Sequence, residues 1–422
     1  MRIDELKSAI FKSIRARDFV GEFAPANVEL HNLRFGTFEA VLTGNGNEKC
    51  LIPEVGSVHY LYRGQNREFV PCLPTIYRGD TGDVDVFLSR MKLVAFKRLL
   101  DRHPVVERFF KRHNFLVSVE GLAQHYGIET EILDLTSSLD VALFFAVCIY
   151  NSETDSYDYY REGEHNGILY VFDPFYDNEP APPLFLDRYM NGLIKPIGFQ
   201  VFQRPSVQYG YGLCLRKGKS VKCWMYEIEF SAEESKFYYD LFNGGKDLWI
   251  KDRLVPKVNM IKSLKGFSFS LFNEAFDFYR PKGWSASKMK NALSDRGVVL
   301  KNSVGDILFD VGECKEIVDE WNDCLGREFA SKIVRKGWYK FNDSCGRYGE
   351  MDFMTMEHLA EYFTLLSIVK VDGPDGGIWK NYTGMPFERN ERLRNTGYIH
   401  KVDASMNSVF GEPYLLEEDW VI

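Results

Sequence analysis

The stretch "LAQHYGIETEILDLTSSLDVALFFAV", residues 122–147, joins two apolar runs of different character. "TEILDL" reads as a strand, whereas Asp140 to Tyr150 has helical spacing, with Val141, Phe144, Phe145 and Cys148 on one face. Between them lies Asp134-Leu135-Thr136-Ser137-Ser138, a polar junction between two core elements. A helix that begins near Leu139 leaves its first four backbone N–H groups unpaired. Ser137 with Asp140 three residues on fits a capping box, Asp standing for the usual Glu or Gln. One cap uses one side chain, yet three hydroxyls and a carboxylate crowd this turn. Asp134, between Leu133 and Leu135, is costly to bury unless it accepts hydrogen bonds or meets a cation. The surplus points either to elaborate capping or to a ligand, because free N–H groups at such a junction suit phosphate or ribose.

Composition narrows the class. A chain of 422 residues exceeds one compact core and suggests two domains, or one with a large extension. At 45% hydrophobic and 27% charged it reads as a soluble globular protein. The net charge of -8 disfavours a general nucleic-acid coat. A local basic run (Arg90, Lys92, Lys97, Arg98, Arg102, Arg108, Lys111 and Arg112) is either a solvated helix face or a phosphate-attracting surface. No window holds about 18 consecutive apolar residues, so no membrane span is expected. The N-terminus lacks the apolar run of a signal peptide. The cysteines are scattered without a C-x-x-C pair, and Cys148 and Cys223 sit in apolar runs. Reduced thiols, a cytoplasmic location and no metal site are expected. Nucleotide phosphate loops, zinc helices of the H-E-x-x-H type and G-x-S-x-G turns are absent from the sequence.

The order of elements predicts a mixed α+β fold. Ile3, Leu6, Ile10, Phe11 and Ile14 share a helical face, strands follow around a turn at Asn45-Gly46, and "VHYLYRGQ" is a strand ending in a turn at Gly64. Residues 84–115 are helical with a break before Pro104, and strands are expected at 167–174, 211–217 and 222–230. In the last of these, Trp224, Tyr226, Ile228 and Phe230 alternate with Glu227 and Glu229. Helices are expected in "SASKMKNALSDRG", "CKEIVDEWNDCLGREFASKIV" and "MEHLAEYFTLLSIV", with a loop at "GPDGG". The divisions are an N-terminal helix and strands over 1–55, a central domain over 56–275, and a helix-rich C-terminal part over 276–422.

Four motifs occur in one order: "LYRGQ" at 61–65, "PTIYR" at 74–78, the 122–146 block, and "RPSVQYGYGLCL" at 204–215. Together they resemble the FRG domain, whose Phe/Tyr-Arg-Gly motif is here Tyr62-Arg63-Gly64; the resemblance runs from about 56 to about 230. Glu131 departs from the pattern, since relatives often carry a basic residue there.

A second resemblance is to ADP-ribosyltransferase folds of the Arg–Ser–Glu class, which place Arg-Gly on an early strand, Ser/Thr before a helix, and Glu or Gln on a late strand. It implies NAD as substrate and ADP-ribose transfer or NAD hydrolysis in a toxin or phage-defence role. Carried over, Arg63 holds a phosphate, Gly64 lets backbone approach a flat ring, and Thr136, Ser137 and Ser138 line the cleft. Tyr62, Gln65, Tyr126, Asp134 and Arg204 join them as binding residues, and His125 is a candidate catalytic group. The late position falls at Gln208, an amide that orients a ribose without supplying charge. Glu229 is the carboxylate placed with it, and Glu227 and Asp134 are alternatives. The competing readings are a non-catalytic nucleotide- or nucleic-acid-binding module and a structural Arg63–Asp134 pair. The partners implied are thus a nucleotide ligand and a protein or nucleic-acid target.

Overall fold

A computed structural model describes residues 1–18, 38–42, 49–53, 60–69, 72–79, 81–112, 114–172, 194–215, 217 and 223–342, and short backbone stretches up to 405. The N-terminal part comprises α1 (Ile3–Asp18) and the antiparallel strands β1 (Phe38–Leu42) and β2 (Lys49–Pro53). Then follow β3 (Leu61–Gln65), α2 (Asp83–Asp101), α3 (Val119–His125), β4 (Ile132–Thr136), α4 (Leu139–Val147), β5 (Cys148–Asn151), β6 (Ser156–Tyr159) and β7 (Glu164–Phe172). Next come β8 (Ile194–Pro196), α5 (Gln203–Val207), β9 (Gly210–Cys214), β10 (Trp224–Ser231) and α6 (Ala232–Leu241). Helices α7 (Leu254–Ser263), α8 (Phe269–Tyr279), α9 (Ala286–Asp295), α10 (Val311–Glu320) and α11 (Gly326–Ser331) complete the helical part, and the described elements beyond it are strands. The fold is mixed α+β. No helix among the described residues is long and apolar enough to cross a membrane.

The element that positions everything else is an antiparallel sheet of order β10-β7-β3-β4-β9-β8. Helix α4 lies against β3 so closely that a Cβ on Gly64 would overlap the Ala142 carbonyl oxygen, and one on Gly167 would overlap that of Ala146. Gly64 is therefore a strand residue chosen for helix–sheet contact, and not the tight turn that glycine suggested. Helix α4 is also shorter than its apolar run implied. At Cys148 the chain turns to β-conformation and pairs with β6, since Cys148 opposes Tyr159. Ile3, Leu6 and Ile10 pack with α4, β7, β10 and α6 in one core, as the helical spacing of α1 predicts.

A second core joins α2, α3, α7, α8 and α9 through Phe87, Phe96, Leu99, Leu254, Phe272 and Met289. The expected boundary near 275 falls inside α8. "SASKMKNALSDRG" and "CKEIVDEWNDCLGREFASKIV" supply α9 to α11, interrupted by a π turn at Trp321–Leu325. Residues 356–367, most of "MEHLAEYFTLLSIV", lie outside the described residues, as do the turn at 45–46 and the loop at 373–377; Ile368–Val371 is a strand. The described cysteines are free thiols, and burial pushes Cys148 up to about 12.

His103 is buried edge-on against Phe202 and Phe309, with ring centroids 4.9 and 5.4 Å away. Burial pushes its pKa down to about 3. The unfolded chain then takes up a proton near pH 6.5 that the folded chain refuses. Its contribution is complete above that pH and is lost on acidification toward 3, at a limiting slope of about 1.4 kcal/mol per unit. Urea titrations between about pH 6 and 4 should show His103→Gln losing stability less steeply than wild type by roughly that slope. Parallel pH profiles of the two proteins would refute the assignment.

Candidate active site

Three strands bring the motifs together. Tyr62 of β3 pairs with Thr136 of β4, and Asp134 and Thr136 oppose Gly212 and Gly210 of β9. Arg63, Asp134 and Gln208 (the residue that ends α5 ahead of β9) line one cleft of about 680 Å³. The glycines of "GYG" are packing residues. A Cβ on Gly210 would stand 2.8 Å from His125 Nε2, and one on Gly212 would stand 2.8 Å from Ile132 Cγ2. Gly210 thus makes room for the imidazole.

The 134–138 junction is resolved residue by residue. Ser138, not Ser137, caps α4: its Oγ accepts from Val141 N at 3.3 Å, and its backbone is extended. Thr136 Oγ1 accepts from Ser138 N at 3.0 Å. Asp140 does not close a capping box; it pairs with Lys7 Nζ at 3.0 Å. Helix α4 begins at Leu139 as expected; Ser137 and Ser138 lie outside the cleft lining, whereas Thr136 lines it. Two of the three hydroxyls are therefore explained by local backbone chemistry.

Arg63 NH1 donates to the Asp134 backbone carbonyl at 2.8 Å, so the guanidinium is tied to main chain and not to the carboxylate. That removes the simple structural ion pair. The carboxylate receives Gln124 Nε2 on Oδ2 at 3.3 Å, and Thr130 donates to Gln124 Oε1 at 2.8 Å. His125, 4% exposed, holds Nε2 3.9 Å from Asp134 Oδ1, beyond hydrogen-bond reach. Burial lowers the His125 pKa, the Asp134 charge opposes this, Arg204 adds to it, and a hydrogen bond with Gln208 opposes it. The imidazole is neutral at physiological pH.

Arg204 is 2% exposed, with Nε on the Ile250 carbonyl at 2.6 Å and NH1 on that of His125 at 3.3 Å. Its guanidinium lies 4.7 Å from the Tyr126 ring centroid and 4.4 Å from that of Trp249. Tyr126 donates to the Asp252 carboxylate, and burial, with that charge second, raises its pKa. Gln208 Nε2 donates to the Leu248 carbonyl at 2.8 Å. Tyr126, Arg204 and Gln208 are thus anchored groups in the cleft wall.

Glu227 and Glu229 do not reach the cleft. Ile228 and Phe230 of β10 enter the core, and both glutamates are exposed: Glu227 accepts from Asn166 Nδ2 at 2.9 Å, and Glu229 lies 4.0 Å from Arg2. The expectation of Glu229 as the acid is corrected by that placement on the far edge of the sheet. Asp134 and Asp155 are carboxylates that do line the cleft. Asp155 accepts from Tyr150 at 2.7 Å and from Trp249 Nε1 at 2.8 Å.

Four of the eight residues in the basic run meet carboxylates. Arg90 pairs with Glu131, Arg98 with Glu274 and Asp306, and Lys97 and Lys111 with Asp101. Glu131, the departure from the motif, is thereby explained as the counter-ion of Arg90. Sequence reasoning missed Arg78, Tyr150, Asp155 and Trp249 as cleft residues. Arg78 alone carried a signal, as the last residue of "PTIYR".

Residues 58–155 match the family model of the FRG domain, so the chain carries an FRG domain over that span. The match holds Arg63, the Gln124–Tyr126 triplet, the 134–138 junction and Asp155, and it ends short of the 230 that the motif order suggested. No curated protein and no solved structure matches the chain.

Proposed function

We propose that the cleft binds a nucleotide, NAD foremost, and that the protein transfers ADP-ribose from it or hydrolyses it, acting as a toxin or in defence against phage. The observation that carries this reading is a convergence of buried polar atoms without a protein partner: Arg63 Nε, Gln65 Oε1, His125 Nε2, Asp134 Oδ1 and Arg204 NH2. All five residues line the same cleft. Buried polar atoms are nearly always paired, and each one left bare costs about 1–3 kcal/mol. Five in one wall are arranged for a polar guest.

In this reading Arg63 holds a phosphate. As the ribose–nicotinamide bond breaks, positive charge grows at the anomeric carbon and the pair of electrons leaves with neutral nicotinamide. The Asp134 carboxylate stabilises that charge, and water or an acceptor hydroxyl attacks the carbon and gives up its proton. Neutral His125, which lines the cleft beside Asp134, takes that proton.

Purified protein incubated with NAD should release nicotinamide, and Arg63→Ala should weaken NAD binding about tenfold or more. A second reading, nucleotide sensing without turnover, is favoured by the amide at Gln208 and by the distance of Glu227 and Glu229 from the cleft. A rise in Tm with NAD and no nicotinamide across a panel of acceptors would select it.

A further inference from the structure

We infer that Arg78 and Arg63 form a two-guanidinium clamp for a diphosphate, with Arg78 a binding residue for the ligand's phosphates. This deepens the nucleotide reading and rests on it for the identity of the ligand. Both side chains are half-buried and line the cleft. Each is fixed by a neutral partner: Arg63 NH1 by the Asp134 carbonyl at 2.8 Å, Arg78 Nε by the Leu73 carbonyl at 2.9 Å. The Phe69 ring, 5.3 Å from the Arg78 guanidinium, covers it on one side. A carbonyl orients a guanidinium without cancelling its charge, so both keep a full positive charge inside the wall.

Buried Arg204 is likewise held by carbonyls, those of Ile250 and His125, whereas several arginines outside the cleft are paired. Arg90, Arg98 and Arg253 all meet carboxylates within ion-pair distance. Among the described residues, neither Arg63 nor Arg78 has such a pair. Two guanidiniums in one cleft wall repel each other, and the Asp134 carboxylate near them offsets only one charge, which leaves a net positive charge for an anion to bridge. Burial lowers the Arg78 pKa and the Arg63 charge is the next cause, while Cys72 and the Asp134 carboxylate oppose the shift, so Arg63 and Asp134 both act on Arg78. The Arg63 Nε–H, buried and unpartnered, supplies a donor still to be used. Planar forks of this kind match phosphate oxygens two at a time, and two forks suit the two phosphoryl groups of a diphosphate.

The test uses the full chain and the probes inorganic pyrophosphate, NAD and adenosine, read by calorimetry and thermal shift. Arg78→Gln keeps a donor for the Leu73 carbonyl while removing the charge, and Arg78→Lys keeps the charge without the fork. Pyrophosphate and NAD should bind wild type, and Arg78→Gln should weaken both about tenfold or more while leaving adenosine unchanged. Arg78→Lys should recover only part of the loss. If NAD binds wild type and Arg78→Gln equally, the clamp is wrong and the nucleotide reading stands. If pyrophosphate binds through Arg78 but NAD does not, the clamp stands and NAD is the wrong guest. If neither binds, both fall.

Discussion

Gly64→Ala should destabilise the protein by about 3 kcal/mol or more, at the upper end of the cost of overpacking. The added methyl has nowhere to go. It would overlap the Ala142 carbonyl oxygen and stand 2.8 Å from both Ala142 C and Ala146 N. All three are main-chain atoms of α4, so no rotamer change relieves the clash, and the helix must lift off β3. Lifting it loosens Ala142, Leu143 and Phe144, which lie in the same core as Leu169, Ile228 and Phe230. It also moves the Ser138 cap and, with it, the end of β4 beside the cleft. Urea unfolding should show a large drop in midpoint at unchanged slope. Gly305→Ala is the control: nothing lies within 4 Å of its Cβ, and its stability should stay within about 0.5 kcal/mol of wild type. A Gly64→Ala midpoint equal to that of the control would mean that strand and helix do not meet as described.

The same glycine shows where reading a chain succeeds and where it stops. Periodicity carried the long elements, because the buried faces of α1 and α2 recur at helical spacing and the burial of those faces dictates the fold. It failed at Cys148, where an apolar helical run continues into a strand; the competitor was pairing with Tyr159, a tertiary term that local spacing cannot see. Gly64 looked like a turn because glycine serves both turns and close contacts, and only the position of α4 separates the two. The polar surplus at 134–138 pointed to a turn that lines the cleft through Asp134 and Thr136, but the hydroxyls of Ser138 and Thr136 are used by the backbone. Of the three carboxylates left open as the acid, Asp134 lines the cleft and Glu227 and Glu229 do not. Alternation put Glu227 and Glu229 on one face of β10, yet which edge of the sheet β10 occupies depends on its pairing with β7. Trp249 and Asp155 reach the cleft from loops whose sequence carries no periodic signal at all.

If the cleft cleaves NAD, Asp134→Asn should lower nicotinamide release about 100- to 1000-fold while leaving NAD affinity within a few fold. The substitution replaces one oxygen by an NH2 of the same size. Its remaining oxygen can still accept from Gln124 Nε2, which donates to Asp134 Oδ2 at 3.3 Å in wild type. The Arg63 anchor survives as well, because it rests on the backbone carbonyl of residue 134 and not on the side chain. What is lost is charge alone, and charge is what a positively charged ribose requires in the transition state but hardly at all in the bound substrate. A fall in kcat with KM preserved is therefore the signature of this role, whereas a purely structural Asp134 would lower Tm and affinity together. Glu229→Gln supplies the comparison, since that side chain is exposed outside the cleft and its loss should leave turnover unchanged. Were Asp134→Asn to retain full activity, the charge acting at the anomeric carbon would have to come from Asp155. That carboxylate already accepts from Tyr150 and Trp249. A group so engaged has less charge to offer a developing cation, which is why Asp134, with one buried oxygen unpaired, is the stronger assignment.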